Sequence, residues 1–254
     1  MIGNANEKMS FMQELNTGTG SRQANGGAGE SAALTRINVG CGSTPTDGWL
    51  NFDNSPLCRL SFWPGLLRLL APHLGDHRKA LLDGILCGRI RYANAVSRIP
   101  LPDQSVRIVY TSHMLDQLPL NRAPRFLQEV MRVLEPGGYL RIAVVDLRLL
   151  AEEYLAGVIE GYRFVERTML AANARETSLT RLKHFALGPR GYRRWIYDGP
   201  MLIGLLQKLG FINAISVSPG ETSIPDPGGL RLDERVGETV YVEARKPGSG
   251  PGPL

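Results

Sequence analysis

The sequence predicts an α/β fold, in which a mostly parallel sheet has helices on both faces and an antiparallel strand near one edge. Apolar strand-like segments alternate with helical segments through the middle of the chain, which is typical of parallel sheets. Two glycines, Gly40 and Gly42, follow the first of these strands. The last two strand-like segments, 212–217 and 238–245, have only a Pro/Gly-rich loop between them. We therefore expect these two strands to pair in antiparallel fashion.

The composition indicates an ordinary globular protein. The chain has 254 residues, of which 43% are hydrophobic and 21% charged, so it can bury a substantial core. Its three cysteines form no CxxC pair, which argues against a disulfide scaffold or a structural metal site and favours a reducing, cytoplasmic location. No apolar stretch is long enough for membrane insertion, and we see no signal peptide.

The net charge is +5. A positive charge of this size could help the protein bind nucleic acid, a membrane surface or an anionic small substrate. A solvated, arginine-rich surface is the simpler interpretation. Nucleic acid is the less favoured partner because no separate RNA-binding module is visible, and an oligomer is left open.

Three regions divide the chain. Residues 1–33 are rich in Gly, Ser, Asn and Thr, and such a composition predicts a flexible segment. Residues 34–246 form the domain. Residues 247–254, with the sequence PGSGPGPL, are predicted to form a disordered tail.

The first strand, 34–39, ends at Gly40-Cys41-Gly42, and a second strand, 50–52, carries Asp53 at its end. Glycines allow a ligand to approach the backbone, and a carboxylate at the next strand end can accept both hydroxyl hydrogens of a ribose. The linker between Gly42 and the second strand is too short for a full helix. We therefore expect a compact loop whose backbone amides form an anion-binding nest.

A helical insertion is predicted at about 57–88, with one helix starting near Pro64 and another over 78–86. It could be a lid, a substrate wall or only a packed excursion. The third strand, 89–93, then ends at Asn94.

The fourth strand, 106–111, ends at Ser112-His113 and is followed by a helix over 122–134. The fifth strand, 139–145, presents Asp146 at its end.

The segment 147–198 is predicted to lie on the substrate side. It begins with a helix over 147–162 and becomes irregular from 177 onward. A last helix over 199–209 leads into the final strand pair.

The succession NVGCG, GWLNFD, IPLPDQSVRIVYTSHMLDQL and LQEVMRVLEPGGYLRIAVVDL resembles the class I S-adenosylmethionine-dependent methyltransferases. More narrowly, it resembles the small-molecule branch found with saccharide and natural-product biosynthesis. Each motif is commonplace alone, but four in the right order argue against coincidence. The resemblance implies a Rossmann-like, seven-stranded sheet and S-adenosyl-L-methionine as the cofactor.

The resemblance also implies roles for individual residues. Gly40, Cys41 and Gly42 would border the methionine portion of the cofactor. Asp53 would hold the ribose. The adenine would lie against Asn94 and Ala95, and the methyl group would face Ser112 and His113. The family often has an acidic residue where Asn94 stands and Glu-His where Asp116-Gln117 stands, which puts the adenine contacts in doubt.

Methyl transfer to a hydroxyl also requires a group that removes the proton. The candidates are His184, His113 and Asp146, with His184 slightly favoured by its position in the substrate-side segment. Each also has a structural interpretation, since His113 and Asp146 could cap helices and His184 could be a surface residue.

Arginines alternate with aromatic residues in the stretch 175–197. Guanidinium groups bind phosphates and carboxylates, and aromatic faces stack on sugars. This pattern favours an anionic or glycosylated small-molecule substrate, although a solvated loop would have the same composition.

The sequence therefore predicts an enzyme that methylates a small hydroxylated molecule, such as a sugar, a glycosylated compound or a natural-product intermediate. A non-catalytic binding protein on the same fold is the alternative. An NAD-dependent oxidoreductase is less favoured, because only a single GxG is present.

Overall fold

The computed structural model describes residues 35–168 and 193–248. Seven strands form one sheet, as predicted: β1 (Arg36–Val39), β2 (Leu50–Asp53), β3 (Ile90–Tyr92), β4 (Val106–Ser112), β5 (Leu134–Val145), β6 (Ile212–Val217) and β7 (Thr239–Arg245).

The strand order is β3-β2-β1-β4-β5-β7-β6. The first five strands are mutually parallel, and Ile37 of β1 lies between Leu50 of β2 and Val109 of β4. Strand β7 is antiparallel to both of its neighbours. The predicted mostly parallel, Rossmann-like sheet with an antiparallel strand near one edge is therefore confirmed.

Helices connect most of the strands: α1 (Pro56–Arg59), α2 (Pro64–Leu70), α3 (Asp76–Leu86), α4 (Ala123–Val133), α5 (Leu147–Leu155), α6 (Gly161–Thr168) and α7 (Gly199–Lys208). The helix predicted over 147–162 is instead two helices. It breaks after Leu155, where Gly157 has a φ of 71°, a backbone conformation that favours glycine. The short α1 was not predicted.

One face of the sheet carries the main core. Apolar side chains of β1, β4, β5 and β7 pack there against α4 and α7, for example Phe126 of α4 and Leu206 of α7. A second cluster holds α1 to α3 against the β3 edge through Leu57, Leu82 and Ile90. The predicted helical insertion is thus a packed element, with Leu67 of α2 fully buried within it.

No helix joins β1 to β2, since residues 40–49 form turns only. A β6–β7 loop, residues 218–238, covers the opposite face of the sheet instead. Ile224 and Leu230 of this loop are buried against Trp49, Tyr110 and other side chains of that face. The loop therefore supplies apolar cover on the face opposite α4 and α7.

A buried ion pair fixes the β6–β7 loop to the sheet. Arg141 of β5 pairs with Glu243 of β7, and both side chains are fully buried. The Arg141 guanidinium donates to the backbone oxygens of Glu221 and Leu232, each at 2.9 Å. Glu243 also accepts from the backbone N–H of Ser223 at 2.7 Å. The loop is held at several points by these two buried charged groups, although Nε of Arg141 itself has no hydrogen-bond partner.

Candidate functional site

Five parallel strands end at one edge of the sheet, and the predicted site residues follow them there. Strands β1 and β4 are neighbours, and the chain continues from β1 to β2 on one side and from β4 to β5 on the other. A crevice therefore forms beyond the carboxyl ends of β1 and β4. The residues that the structure brings to this edge are Gly40, Cys41, Gly42, Asp53, Asn94, Ala95, Ser112, His113 and Asp146.

The Gly40–Gly42 turn favours glycine at both positions, and an added side chain would have different surroundings at each. Both have positive φ angles, 75° and 52°. A Cβ on Gly40 would lie 2.4 Å from Cγ of Met114, so Gly40 makes room for a side chain of the protein itself. A Cβ on Gly42 would meet no atom within 4 Å. Only the space beside Gly42 is open to a ligand.

The expected nest of free amides is wrong for this turn. The backbone N–H groups of Gly40 and Cys41 both donate to the carbonyl oxygen of Phe52, at 2.8 and 3.2 Å. The Gly42 N–H donates to Oδ2 of Asp53 at 3.0 Å. These amides stabilise the turn and are already satisfied.

Asp53 is held at the end of β2 by backbone donors. Besides Gly42, the Ser55 N–H donates to its Oδ1 at 2.7 Å. The Cys58 thiol also lies 4.0 Å from Oδ1, whereas Oδ2 keeps a further lone pair for a ligand hydroxyl. The thiols of Cys41 and Cys58 are buried, and burial raises the pKa of both, that of Cys58 to about 11. They stay neutral at pH 7 and add no negative charge beside Asp53.

Asn94 and Ala95 follow β3 next to Asp53. The Ala93 N–H donates to the Asp53 carbonyl at 3.0 Å, which continues the parallel pairing to this point. Ala95 is buried in the core, whereas the Asn94 side chain is half-buried. The fixed carboxylate of Asp53 and the open side of Gly42 fit an adenosine cofactor.

Ser112 and His113 lie at the end of β4. His113 has a φ of 47°, and its Nε2 lies 3.4 Å from Oγ1 of Thr239. Burial lowers the pKa of His113 to about 4, and the positive charges of Arg235 and Arg193 add to this effect while Glu234 opposes it. The imidazole is therefore neutral at pH 7.

Asp116 and Arg193 form a buried ion pair that the sequence did not reveal. Nε of Arg193 donates to Oδ2 of Asp116 at 3.0 Å. The backbone N–H groups of Arg194 and Trp195 donate to the Asp116 carbonyl, at 2.7 and 3.0 Å. Burial raises the pKa of Asp116, although Arg193 partly opposes the shift. The pair joins the turn after β4 to residues 193–195.

Arg193 also ends helix α6. Its Nη1 donates to the carbonyl oxygens of Arg167 at 2.8 Å and Thr168 at 3.2 Å, where a cation is favourable to the helix dipole. Asp116 and Arg193 lie far apart in the sequence, so periodicity could not pair them. The only signal was an acid in an otherwise apolar stretch, MLDQL.

Tyr197, which the sequence placed within the arginine-rich and aromatic stretch 175–197, also reaches this edge of the sheet. It is fully buried and bridges to Asp146 at the end of β5, where its carbonyl accepts from the Leu147 N–H at 2.9 Å. Burial, together with the charge of Asp116, raises the pKa of Tyr197 to about 12. Its hydroxyl is a neutral donor at pH 7.

Asp146 caps helix α5, since Oδ1 accepts from the Arg148 N–H at 2.9 Å. Burial raises its pKa. His184 lies outside the described residues, as do Arg175, Arg181, Lys183, Phe185, Arg190 and Tyr192 of the arginine-rich stretch.

Four of the buried polar atoms without a hydrogen-bond partner belong to residues that end or follow β4, or that bridge to the end of β5. They are Ser112 Oγ, His113 Nδ1, Asp116 Oδ1 and Tyr197 OH. Unsatisfied buried polar groups are costly, and in an enzyme they mark places where a polar ligand completes the bonding. A polar ligand bound at this edge would complete the bonding of these atoms.

A surface cavity of about 140 Å³ lies elsewhere, lined by residues between Thr46 and Asn51 and between Gly88 and Arg91. These residues start β2 and β3, at the opposite edge of the sheet from Asp53. Within the described ranges, no helix is long and apolar enough to cross a membrane.

Residues 37–142 match the family model described as "Methyltransferase domain". An uncharacterized protein of Haemophilus influenzae is 28% identical over 153 residues, which are 60% of this chain and 49% of the relative. The chain thus spans about half the length of the curated relative that it matches.

Several solved structures are similar in fold. A SAM-dependent methyltransferase from Methanosarcina mazei is 18% identical, with 85% of this chain and 93% of that chain covered and a TM-score of 0.43. One from Aquifex aeolicus is 13% identical, with 84% and 82% covered and a TM-score of 0.41.

Proposed function

We propose that this chain, whose residues 37–142 match a methyltransferase domain, is an S-adenosylmethionine-dependent enzyme that methylates a small hydroxylated molecule. The acceptor would be a sugar, a glycosylated compound or a natural-product intermediate. The observation that carries this proposal is the group of unpartnered buried polar atoms at Ser112, His113, Asp116 and Tyr197. An apolar acceptor would leave these atoms unsatisfied, whereas hydroxyl groups would pair with them.

The cofactor would be held on the other side of the crevice. Asp53 would accept the ribose hydroxyls, and the open side of Gly42 would admit the methionine portion next to Gly40 and Cys41. Asn94 and Ala95 would border the adenine. When bound, S-adenosylmethionine supplies an electrophilic methyl group on a sulfonium.

Ser112 and His113 would orient the acceptor. A neutral imidazole at His113 offers a lone pair, but a pKa of about 4 makes it a weak base at neutral pH. Asp146 already accepts a backbone hydrogen bond as a helix cap. These two observations favour His184 as the group that removes the proton from the acceptor hydroxyl.

An anionic or glycosylated substrate would use only part of the arginine-rich stretch. Arg193 is committed to Asp116 and to the end of α6. Arg194 is exposed, and Trp195 is 37% exposed. These two side chains are the available donor and stacking surface at the described end of the stretch.

Calorimetry tests the cofactor assignment. We expect the full chain to bind S-adenosylmethionine and its demethylated product, and not NAD. Asp53→Ala should weaken binding about tenfold to a hundredfold, because hydrogen bonds to a carboxylate are worth roughly 1.5–3 kcal/mol. Asp47→Ala is the matched control, since Asp47 lies in the same connection but pairs with Arg89 on the surface. Absence of binding by the methyl donor would overturn the proposal.

Mass spectrometry of a metabolite pool incubated with isotopically labelled methyl donor tests the acceptor class. We expect the label on a hydroxylated small molecule. Cofactor binding without transfer to any acceptor would instead support a non-catalytic binding protein. With the acceptor in hand, His184→Ala, His113→Asn and Asp146→Asn can be compared by the pH dependence of kcat. Retention of the wild-type profile by His184→Ala would remove His184 as the base.

A further inference from the structure

Helix α2 and the turn before it present a continuous apolar surface to solvent. The side chains of Phe62, Trp63, Leu66 and Leu69 are 82%, 65%, 39% and 70% exposed. Single exposed apolar residues are normal in soluble proteins, but a cluster that includes two large aromatic rings marks an interaction site. We refer to these four residues as the 62–69 patch.

The 62–69 patch belongs to a packed element. Pro64 starts α2, and Leu67, between Leu66 and Leu69 in sequence, is fully buried in the cluster formed by the insertion. Leu66 and Leu69 are three residues apart on α2 and so lie on one side of it, away from Leu67, while Phe62 and Trp63 precede the helix. The folded insertion therefore holds these side chains in solvent.

The segment that carries the patch is also basic. Residues 54–92 contain six basic and two acidic residues, a net charge of +4 out of +5 for the whole chain. Arg89 pairs with Asp47. Within the part of the chain that the structure describes, the remaining cations of this segment form no ion pair: Arg59, Arg68, Arg78, Lys79 and Arg91.

We propose that the 62–69 patch is a docking surface for anionic phospholipid membranes, which the protein binds peripherally and does not cross. Tryptophan and phenylalanine favour the interface between headgroups and acyl chains, and nearby arginines and lysines are attracted to anionic headgroups. Arg68 lies within the patch itself, between Leu66 and Leu69 in sequence.

A protein partner fits the patch less well. Standard protein interfaces involve about 20–30 residues on each side, with charged residues depleted at their centre. Here four exposed apolar side chains belong to a segment with a net charge of +4, in which five cations form no ion pair with the described residues. A continuous negative surface satisfies both features at once.

A second exposed apolar surface provides an internal comparison. Leu155, Val158, Tyr162 and Val165 on α5, α6 and their connection are 64–81% exposed. Residues 147–168, however, contain three basic and four acidic residues. This surface has the exposed apolar side chains without the positive charge, so it should not bind anionic lipid.

The patch lies close in sequence to the candidate site. Helix α1 starts just after Ser55, whose N–H donates to Asp53, and continues through one turn into Phe62. Membrane binding would therefore keep the Asp53 edge of the sheet near the headgroup layer. The membrane proposal itself does not depend on methyl transfer.

Co-sedimentation of the full chain with vesicles tests this proposal. The wild type should bind vesicles of phosphatidylcholine mixed with phosphatidylglycerol, and should bind pure phosphatidylcholine at least about fivefold less, because each lysine or arginine near the surface contributes roughly 1 kcal/mol. The double substitution Phe62→Ser, Trp63→Ser should reduce binding about tenfold or more, since it removes two large apolar side chains. Leu155→Ser, Tyr162→Ser is the matched control and should bind like the wild type.

Tryptophan fluorescence gives a second measurement that does not depend on the double substitution Phe62→Ser, Trp63→Ser. Wild-type emission should shift to the blue on addition of the mixed vesicles, and Trp63→Phe should lose that shift while Trp49 and Trp195 remain. Equal binding of both vesicle types, or unchanged binding by Phe62→Ser, Trp63→Ser, would overturn the proposal. Concentration-dependent self-association that the same substitutions abolish, without vesicle binding, would also overturn it and would identify a contact between copies of the chain.

Discussion

The surroundings of His113 determine the protonation state of its side chain. This histidine follows the last residue of β4 in a positive-φ conformation, and its ring lies between β4, Thr239 at the start of β7, and the charged residues Glu234 and Arg235 of the β6–β7 loop. Burial costs the charged form of an imidazole more than the neutral form. The site therefore contains a neutral histidine near two arginines, which is suited to hydrogen bonding with a polar ligand.

We predict that His113 makes the stability of the protein depend on pH between 6.5 and about 4. In this range the unfolded chain binds a proton that the folded protein excludes, so the free energy of unfolding falls as the pH falls. The loss should reach about 3 kcal/mol at the acid end. Urea unfolding of His113→Asn across this range should show a flatter profile than the wild type.

His77→Asn is the control for this experiment, because His77 is exposed and contacts Ser43 on the surface. It should keep the wild-type pH profile. A profile for His113→Asn as steep as that of the wild type would show that His113 is not the group responsible.

The elements differ in how well the sequence predicts them. Strand β4 and helix α4 have clear apolar periodicity, so their bounds were predicted within one residue, and Asp53 could be placed at a strand end. Strand β5 was predicted over 139–145 but starts five residues earlier, at Leu134. The pairing of Asp116 with Arg193 could not, since residues distant in sequence carry no periodic signal. The β6–β7 loop was predicted only as a Pro/Gly-rich connection. Two apolar residues among many polar ones, Ile224 and Leu230, do not reveal which face they cover.

We predict that the β6–β7 loop contributes to stability as a core element. Ile224 is 3% exposed and packs on the sheet, so Ile224→Ala should lower the free energy of unfolding by about 2–5 kcal/mol. Ile215 of β6 is 44% exposed, and Ile215→Ala should cost much less. Denaturant unfolding compares the two variants, and equal losses would mean that the loop is only loosely attached.

At the scale of the whole molecule, the order of strands and helices along the chain predicted most of the architecture. Alternating strands and helices fix a parallel sheet with few topologies, and a Pro/Gly-rich connection then fixes an antiparallel end. Positive charge is distributed unevenly along the chain, since residues 54–92 carry a net charge of +4 and residues 175–197 a net charge of +5. Sequence order therefore predicted the architecture, while the exposure of Phe62 and Trp63 required the structure.

We predict that a chain lacking residues 1–33 retains the fold and the cofactor site. The described sheet begins at β1, and the described contacts of Asp53 and Gly42 lie within the remaining residues. We expect the free energy of unfolding to stay within about 1 kcal/mol of that of the full chain. Calorimetry with S-adenosylmethionine provides the second measurement, and a loss of binding would assign residues 1–33 to the cofactor site.

The replacement of a β1–β2 helix by the β6–β7 loop has a consequence for the order in which the protein folds. The cover over Trp49 and Tyr110 comes from residues near the carboxyl end of the chain. During synthesis, the β6–β7 loop cannot cover that face of the sheet until Ile224 and Leu230 have left the ribosome. Long-range pairing of this kind slows folding. The nascent chain is thus expected to depend on chaperones until its last strand, β7, is in place.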